Sequence, residues 1–222
     1  MSDYSTINNV KVEGKNNKIQ ILEKGELKDY YEIKGMTITI SGNNNHIVIE
    51  MPSKFIGTSI VMNGDDNYCS IKATRHRFIR HTTFGMENGG IITFGGGISV
   101  YRNLNVVAKA GKRVDVGDEC MFARDIIVRN DDGHTILDAT TKEILNAPEN
   151  IKIADKVWVG TRAMIIKGAE ISEGSIVGAM SLVNKKFKEK NIVIAGVPAK
   201  KVKENIMWDR ADYYTYCEKL CD

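Results

Sequence analysis

Branched aliphatic residues recur at every sixth position of this chain, at Ile153, Val159, Ile165, Ile171, Val177 and Val183. A helix turns about 100° per residue, so six steps would scatter such a series around the helix. An extended chain turns about 180° per residue and returns every sixth residue to the same face. The series is therefore extended chain. A second series lies two residues earlier, at Val157, Ala163, Ala169, Ser175 and Ser181, and is mostly small. Each unit then supplies a small inward residue, an outward residue, a large inward residue and a bend, with Gly160, Gly168, Gly174 and Gly178 falling near the bends. This hexapeptide period is the signature of a parallel β-helix.

The period extends upstream through Ile92, Ile98, Leu104, Ala110, Val116, Phe122 and Val128. Its partners are Gly90, Gly96, Arg102, Ala108, Val114, Cys120 and Ile126. Arg102 breaks the rule, and either points into a site or marks a fault in register. The separation of Val128 from Ile153 is not a multiple of six. A polar loop over 129–150 is therefore inserted, and long connections are often functional. Before residue 91 the repeat changes to "GKNNKIQI", "GNNNHIVI" and "GDDNYCSI", each a Gly/Asn turn followed by alternating apolar residues. The expected organisation is an irregular β-coil region over 1–90, continuous with the solenoid over 91–203, and a helical tail over 204–222. A solenoid needs capped ends. In the tail, Asp209 to Leu220 reads as a short helix with Tyr213, Tyr216, Cys217 and Leu220 on one side, packed on the last coil or on a neighbouring chain.

The net charge of +3 gives no reason to expect nucleic acid. No basic-then-apolar signal pattern opens the chain, and no apolar run reaches about 18 residues, so a cytoplasmic protein without a transmembrane segment is expected. The four cysteines form no CxxC pair, which argues against zinc and for reduced thiols.

"IKIADKVWVGTRAMIIKGAEISEGSIVGAMSLVNKKF" followed by "IVIAGVPAKKV" closely resembles the left-handed β-helix acyltransferases of the hexapeptide-repeat superfamily. The resemblance covers roughly 98–202. Within the superfamily, "DDGHTILD", with Trp158 following downstream of His134, looks like the capsular polysaccharide and sialic-acid O-acetyltransferases. The resemblance implies an all-β, left-handed solenoid of three hexapeptides per coil. It also implies acetyl-CoA as donor and a homotrimer with active sites between subunits. Coils of three hexapeptides would stack Trp158 under Ile176 and Met164 under Leu182 on the outer wall. Apolar outward columns of this kind mark an interface or a ligand groove.

In the family a loop histidine acts as general base, and His134 matches it. A sugar hydroxyl is a poor nucleophile at neutral pH, and imidazole titrates near the working range. Asp131, Asp132, Asp138 or a backbone carbonyl would orient the ring. His46, His76 and His81 read as structural or solvated. Trp158 is either interface packing or a wall that positions donor and acceptor beside His134. By alignment with the family motif, Gly160, Thr161 and Ala179 would border the pantetheine arm and Pro198 the adenine. Asn184, Lys185, Lys200 and Lys203 complete the donor site, the lysines as point charges for coenzyme A phosphates. For those lysines a solvated face is the competing reading. The family often has threonine at the position of Asn184 and arginine at that of Lys200. Asn103 and Asn105, in "YRNLN", match a stretch that contacts acceptor in sugar acetyltransferases, against an asparagine ladder or turn.

The expected function is acetyl-CoA-dependent O-acetylation of a carbohydrate, with His134 as base. N-acetylation of an amino sugar, or acetylation of another small molecule, is the rival within enzymes. A non-catalytic solenoid scaffold is the alternative outside them. A metal-dependent hydratase on the same solenoid needs three converging histidines, and three of the four here fall outside the His134 loop, so no metal is expected.

Overall fold

The computed structural model describes residues 9–29 and 33–221, with side chains through 218. Residues 1–8 and 30–32 of the N-terminal region, and the Leu220 side chain assigned above to the tail helix, lie outside the described residues. The chain winds as a parallel β-helix with three faces. One face stacks Phe55–Ile56, Ile79–Arg80, the first part of Ser99–Lys109, the first part of Met121–Arg129, Trp158–Val159, Ile176–Val177 and Val193–Gly196. The second stacks Val10–Glu13, Met36–Ser41, Thr58–Asn63, Thr82–Glu87, the later parts of the same two long strands, Met164–Ile166 and Leu182–Val183. The third runs from Lys18–Glu23 to Lys186–Phe187.

Within each strand the inward positions are apolar and buried, as in Thr58–Asn63, where burial alternates residue by residue. Phe84, Phe94 and Phe122 form an aromatic file along the axis, with ring centroids 5.1 and 5.9 Å apart. Each such pair adds about 0.5–1.5 kcal/mol to the burial of its rings.

The coil length changes along the axis. Trp158 lies against Ile176 and Met164 against Leu182, a spacing of three hexapeptides. Ser99 lies against Met121 and Thr82 against Leu104, a longer spacing that is not a multiple of six. In these longer coils the upstream sixfold series keeps phase only locally. Ala110, counted inward, is an exposed turn residue with φ 55°. Arg102, its other irregular member, is exposed on the outer wall.

The Gly/Asn turns of the first coils stack as solenoid corners. A Cβ on Gly14 would collide with the Gly42 carbonyl oxygen, and one on Gly42 would collide with that of Gly64. Beside them Asn17, Asn45 and Asn67 form a ladder. Asn45 donates to Asn17 at 3.0 Å, Asn67 donates to Asn45 at 2.8 Å, and the Gly90 amide donates to Asn67 at 3.0 Å. The buried amides are thereby satisfied.

At the other end, Ala199–Lys203 folds back antiparallel on Val193–Gly196 and covers the edge of the first face. The tail helix is Tyr213–Cys221, beginning later than Asp209. The reason is the cap: the Asp212 carboxylate accepts the Thr215 amide at 2.9 Å, and residues before it run as an extended strap. Tyr213, Tyr214 and Tyr216 are exposed in the single chain.

Candidate functional site

The bend between the first and second faces positions the outer wall. Phe122 pairs with Val159 and Val159 with Val177, so Arg124, Thr161 and Ala179 fall on successive rungs just beyond them. The Met180 amide donates to the Thr161 carbonyl at 2.8 Å, which ties those rungs together. The wall here is kept low by small residues. A Cβ on Gly160 would lie 2.7 Å from the Ala179 nitrogen, and one on Gly178 would lie 2.9 Å from the Ala195 Cβ. Half-buried Trp158 stands beside this strip, between Met121 and Ile176. Trp158, Thr161, Met121, Tyr101, Arg80 and Arg124 line one open cleft of about 430 Å³.

The predicted donor residues lie further along. Lys200 pairs with Ala195 and Lys203 with Val193 in the terminal hairpin, whose exposed turn holds Pro198. Asn184 and Lys185 are exposed at the preceding corner, with the Lys185 ammonium 5.4 Å from the Phe187 ring centroid. Lys185, Lys200 and Lys203 have no carboxylate partner among the described residues, so their charges are open to an anion.

His134 is exposed on the inserted loop, which leaves the second face after Arg129 and enters the third face at Ile151. The loop is a small hairpin closed by a bridge between Leu137 and Ile144. Its base is tethered. Lys167 Nζ donates to Asp132 at 2.5 Å, and Asn146 donates to Asp132 at 3.0 Å and to the His134 carbonyl at 2.8 Å. The Lys167 hydrogen bond first, and that of Asn146 second, hold the Asp132 carboxyl below its ordinary value.

None of the three carboxylates expected to orient His134 does so within the chain. Asp131 binds Arg129 and the Gly133 amide, Asp132 binds Lys167 and Asn146, and Asp138 caps the amides of Thr140 and Thr141. Short acidic side chains in a tight loop satisfy local amides before they reach a ring further along the chain. His134 lines its own cleft of about 210 Å³ with Asp131, Asp132, Thr135, Ile144 and Asn146. That cleft shares no residue with the one around Trp158: the hairpin stands beyond the end of the second face, and Trp158 stands on the first.

Asn103 occupies a solenoid corner with φ 54°, and its amide donates to Asp125 at 2.9 Å. Asn105 is exposed on the second face between Thr83 and Ile127.

Two residues behind the cleft, reaching Trp158 and Ser99 of its lining, have no counterpart among the sequence-based expectations. Trp208, in the strap, sits with its ring centroid 6.1 Å from that of Trp158 and donates its indole N–H to the Lys156 carbonyl at 2.8 Å. Arg210 donates to Ser99 Oγ at 2.7 Å and to the carbonyls of Gly97, Glu119 and Cys120 at 3.2, 2.8 and 3.0 Å. Burial first, then the charge of Arg77, lowers its pKa. The only signal in the sequence is a tryptophan and an arginine in a tail without period.

No protein-family profile matches the chain. Among characterised proteins, a polysialic acid O-acetyltransferase of Neisseria meningitidis is 32% identical over 182 residues, covering 80% of this chain and 81% of that protein. A polysialic acid O-acetyltransferase of Escherichia coli O1:K1 / APEC is 38% identical over 99 residues, covering 45% of this chain and 32% of that longer protein. Among solved structures, the polySia-specific acetyltransferase NeuO superposes with a TM-score of 0.81 at 29% identity, covering 95% of this chain and 97% of that one.

Proposed function

Since the chain belongs to the hexapeptide-repeat O-acetyltransferases that include the polysialic acid O-acetyltransferases, we propose that it transfers an acetyl group from acetyl-CoA to a carbohydrate hydroxyl, with His134 as general base. The observation that carries this reading is the 32% identity to the Neisseria meningitidis enzyme across most of both chains.

The wall suits the donor. Gly160 and Gly178 leave no room for a Cβ, and Thr161 and Ala179 border the strip they open, where a slender pantetheine arm would lie. Lys200 and Lys203 in the terminal hairpin, with Asn184, Lys185 and Pro198 near the end of that strip, would meet the phosphates and adenine. The bound donor supplies the acetyl group as a thioester. The amides of Gly160, Arg162, Gly178 and Met180 are committed to the coil ladder, and those of Thr161 or Ala179 would stabilise negative charge on a carbonyl oxygen. His134 takes the proton of the acceptor hydroxyl as its oxygen bonds to carbon, holds it on a ring nitrogen, and releases it to the departing sulfur. Trp158 would wall the acceptor side; Asn103 at the corner, with one amide hydrogen given to Asp125, would offer the other to a sugar hydroxyl, and Asn105 would do so from the second face. No metal ligand enters this scheme.

Two features support the proposed assembly. Ile127, Met164 and Leu182 form an outward apolar column on the second face, the first two 37% and 39% exposed. The His134 hairpin carries exposed Ile136, Leu137, Ile144 and Leu145. Both suit a homotrimer in which the hairpin of one subunit completes the Trp158 cleft of the next.

Thiol release from acetyl-CoA with a panel of sugars and acidic polysaccharides tests the reaction. His134→Ala is expected to lower kcat about 10²- to 10⁴-fold with coenzyme A affinity unchanged. Full activity in that variant removes the base assignment, and no thiol release with any acceptor removes the reaction.

A further inference from the structure

A separate cleft of about 820 Å³ opens at the corner where the third face passes into the first, beside the C-terminal strap. Arg77 lines it from the turn between Tyr68–Ile71 and Ile79–Arg80, and Lys156 from the turn between Ile151–Ile153 and Trp158–Val159. Met207, Trp208 and Arg210 line it from the strap. The cleft shares no residue with those around Trp158 and His134. The small-residue strip assigned to the donor borders the other corner of the first face.

The polar groups of this cleft are incompletely matched. Glu119 lies 3.3 Å from Arg75 and 3.8 Å from Arg210, so two arginines share it. Arg77 takes part in no ion pair among the described residues, and its buried Nε–H has no hydrogen-bond acceptor. The other two carboxylates of the lining are engaged: Glu173 with Lys190 at 2.8 Å, and Asp209 with the Ala211 amide at 2.7 Å. A buried donor without an acceptor is costly and rare in folded proteins. Burial first, and then the charge of Arg77, lowers the pKa of Arg210, so the two guanidinium groups oppose each other at the cleft. An anion held between them would accept from the Arg77 Nε–H and screen the repulsion at the same time.

We infer that this cleft is a second ligand site, which takes the phosphate monoester of a small molecule and uses the phosphate to fasten the strap to the solenoid corner. Two guanidinium groups that arrive from different elements need acceptor oxygens in more than one plane. A tetrahedral phosphate supplies three such oxygens and close to two negative charges, whereas a carboxylate is flat and carries one. Lys156 adds a point charge at the rim. The cleft is far larger than a phosphate, and the exposed Met207 side chain and the Trp208 ring give its organic remainder an apolar wall. Arg77 belongs to the solenoid and Arg210 to the strap, so a bridging phosphate ties the strap down. The strap holds Trp208 against Trp158, which links the site to the Trp158 cleft from behind. The inference does not rest on the acetyltransferase reading, and its test needs no turnover.

The test is a thermal melt and a calorimetric titration of the full chain with inorganic phosphate, adenosine monophosphate and acetate, each against sodium chloride of equal ionic strength. Phosphate at ten times its Kd should raise the wild-type Tm by about 3–6 °C. Adenosine monophosphate should bind at least as tightly as inorganic phosphate, and acetate should leave Tm unchanged. Arg77→Met should melt no lower than the wild type in chloride, since it removes the unpaired donor and the opposing charge together. It should bind phosphate at least about tenfold more weakly and coenzyme A with unchanged affinity. In the wild type alone, added phosphate should slow amide exchange over 206–212. The inference is overturned if phosphate leaves the wild-type Tm unmoved, if acetate matches phosphate, or if adenosine monophosphate binds more weakly than phosphate. It is equally overturned if Arg77→Met keeps the phosphate response or melts lower in chloride, or if exchange in the strap is unchanged. Joint loss of phosphate and coenzyme A binding in the folded variant would assign the phosphate to the donor site and sink the second site.

Discussion

Cys69 and Cys120 show how inward placement governs chemistry at a single residue. Both are fully shielded, and burial pushes each thiol up to about 12. At pH 8 only about one such thiol in 10⁴ is ionised, and neither is within reach of a reagent. Cys217 is half-exposed in the tail helix. Mass-spectrometric mapping after brief alkylation at pH 8 should find Cys217 modified and Cys69 and Cys120 untouched until denaturant is added. Rapid labelling of either buried cysteine in the native protein would contradict the packing. A second residue with sharp consequences is Gly42, at φ 138° and with the Gly64 carbonyl occupying the space a Cβ would need. Gly42→Ala should lower stability by about 2–4 kcal/mol, read as a fall in Tm, because neither backbone can yield without breaking the corner stack. An unchanged melting curve would mean that the corner is looser than its contacts imply.

At the scale of elements, legibility depends on period. The coils over 151–183 are readable because each face is one hexapeptide long, so inward residues keep constant phase from coil to coil. The longer coils upstream have longer strands and larger corners, which is why the sixfold count misplaces Ala110 while it places Leu104 and Phe122 correctly. The wall residues Trp158, Thr161 and Ala179 can be stacked by counting alone. Trp208 and Arg210 cannot, because their partners lie 52 to 113 residues away and no local pattern encodes that contact. The strap therefore yields a prediction of its own. Arg210→Ala leaves three carbonyls and Ser99 without their shared donor, and should cost about 2–3 kcal/mol while raising the KM for acceptor through a less restrained Trp158. Unaltered KM and Tm would make the strap incidental. The inserted loop has a comparable tether in Asp132 and Lys167. The Asp132 carboxyl is held below its ordinary value of 3.8, so the tether is intact above that pH and is lost as the pH falls through the lowered value. Asp132→Asn should therefore mimic strong acid at neutral pH, increasing amide hydrogen exchange across 130–150 and leaving the solenoid strands unaffected. Equal exchange in the two proteins would place the loop's order elsewhere.

At the scale of the whole molecule, the two residues assigned to catalysis line separate clefts of one chain. On the proposed reading, a reaction that needs both would join one subunit's hairpin to another's wall. This arrangement can be tested by mixing. His134→Ala and Trp158→Ala homotrimers should each be nearly inactive, since every interface in them lacks one partner. Co-expressed in equal amounts and assembled at random, the two chains place an intact histidine beside an intact tryptophan at about a quarter of the interfaces, because each partner is wild type half the time. Thiol release should rise to about a quarter of the wild-type rate per site. If instead His134 served the Trp158 of its own chain, no site in any mixture would hold both, and the mixed preparation would stay as inactive as its parents. Replacing Met164 with glutamate in the apolar column gives an independent arm. It should lower the mass seen by light scattering and abolish thiol release together, because a monomer keeps every one of its own residues and still lacks a complete site.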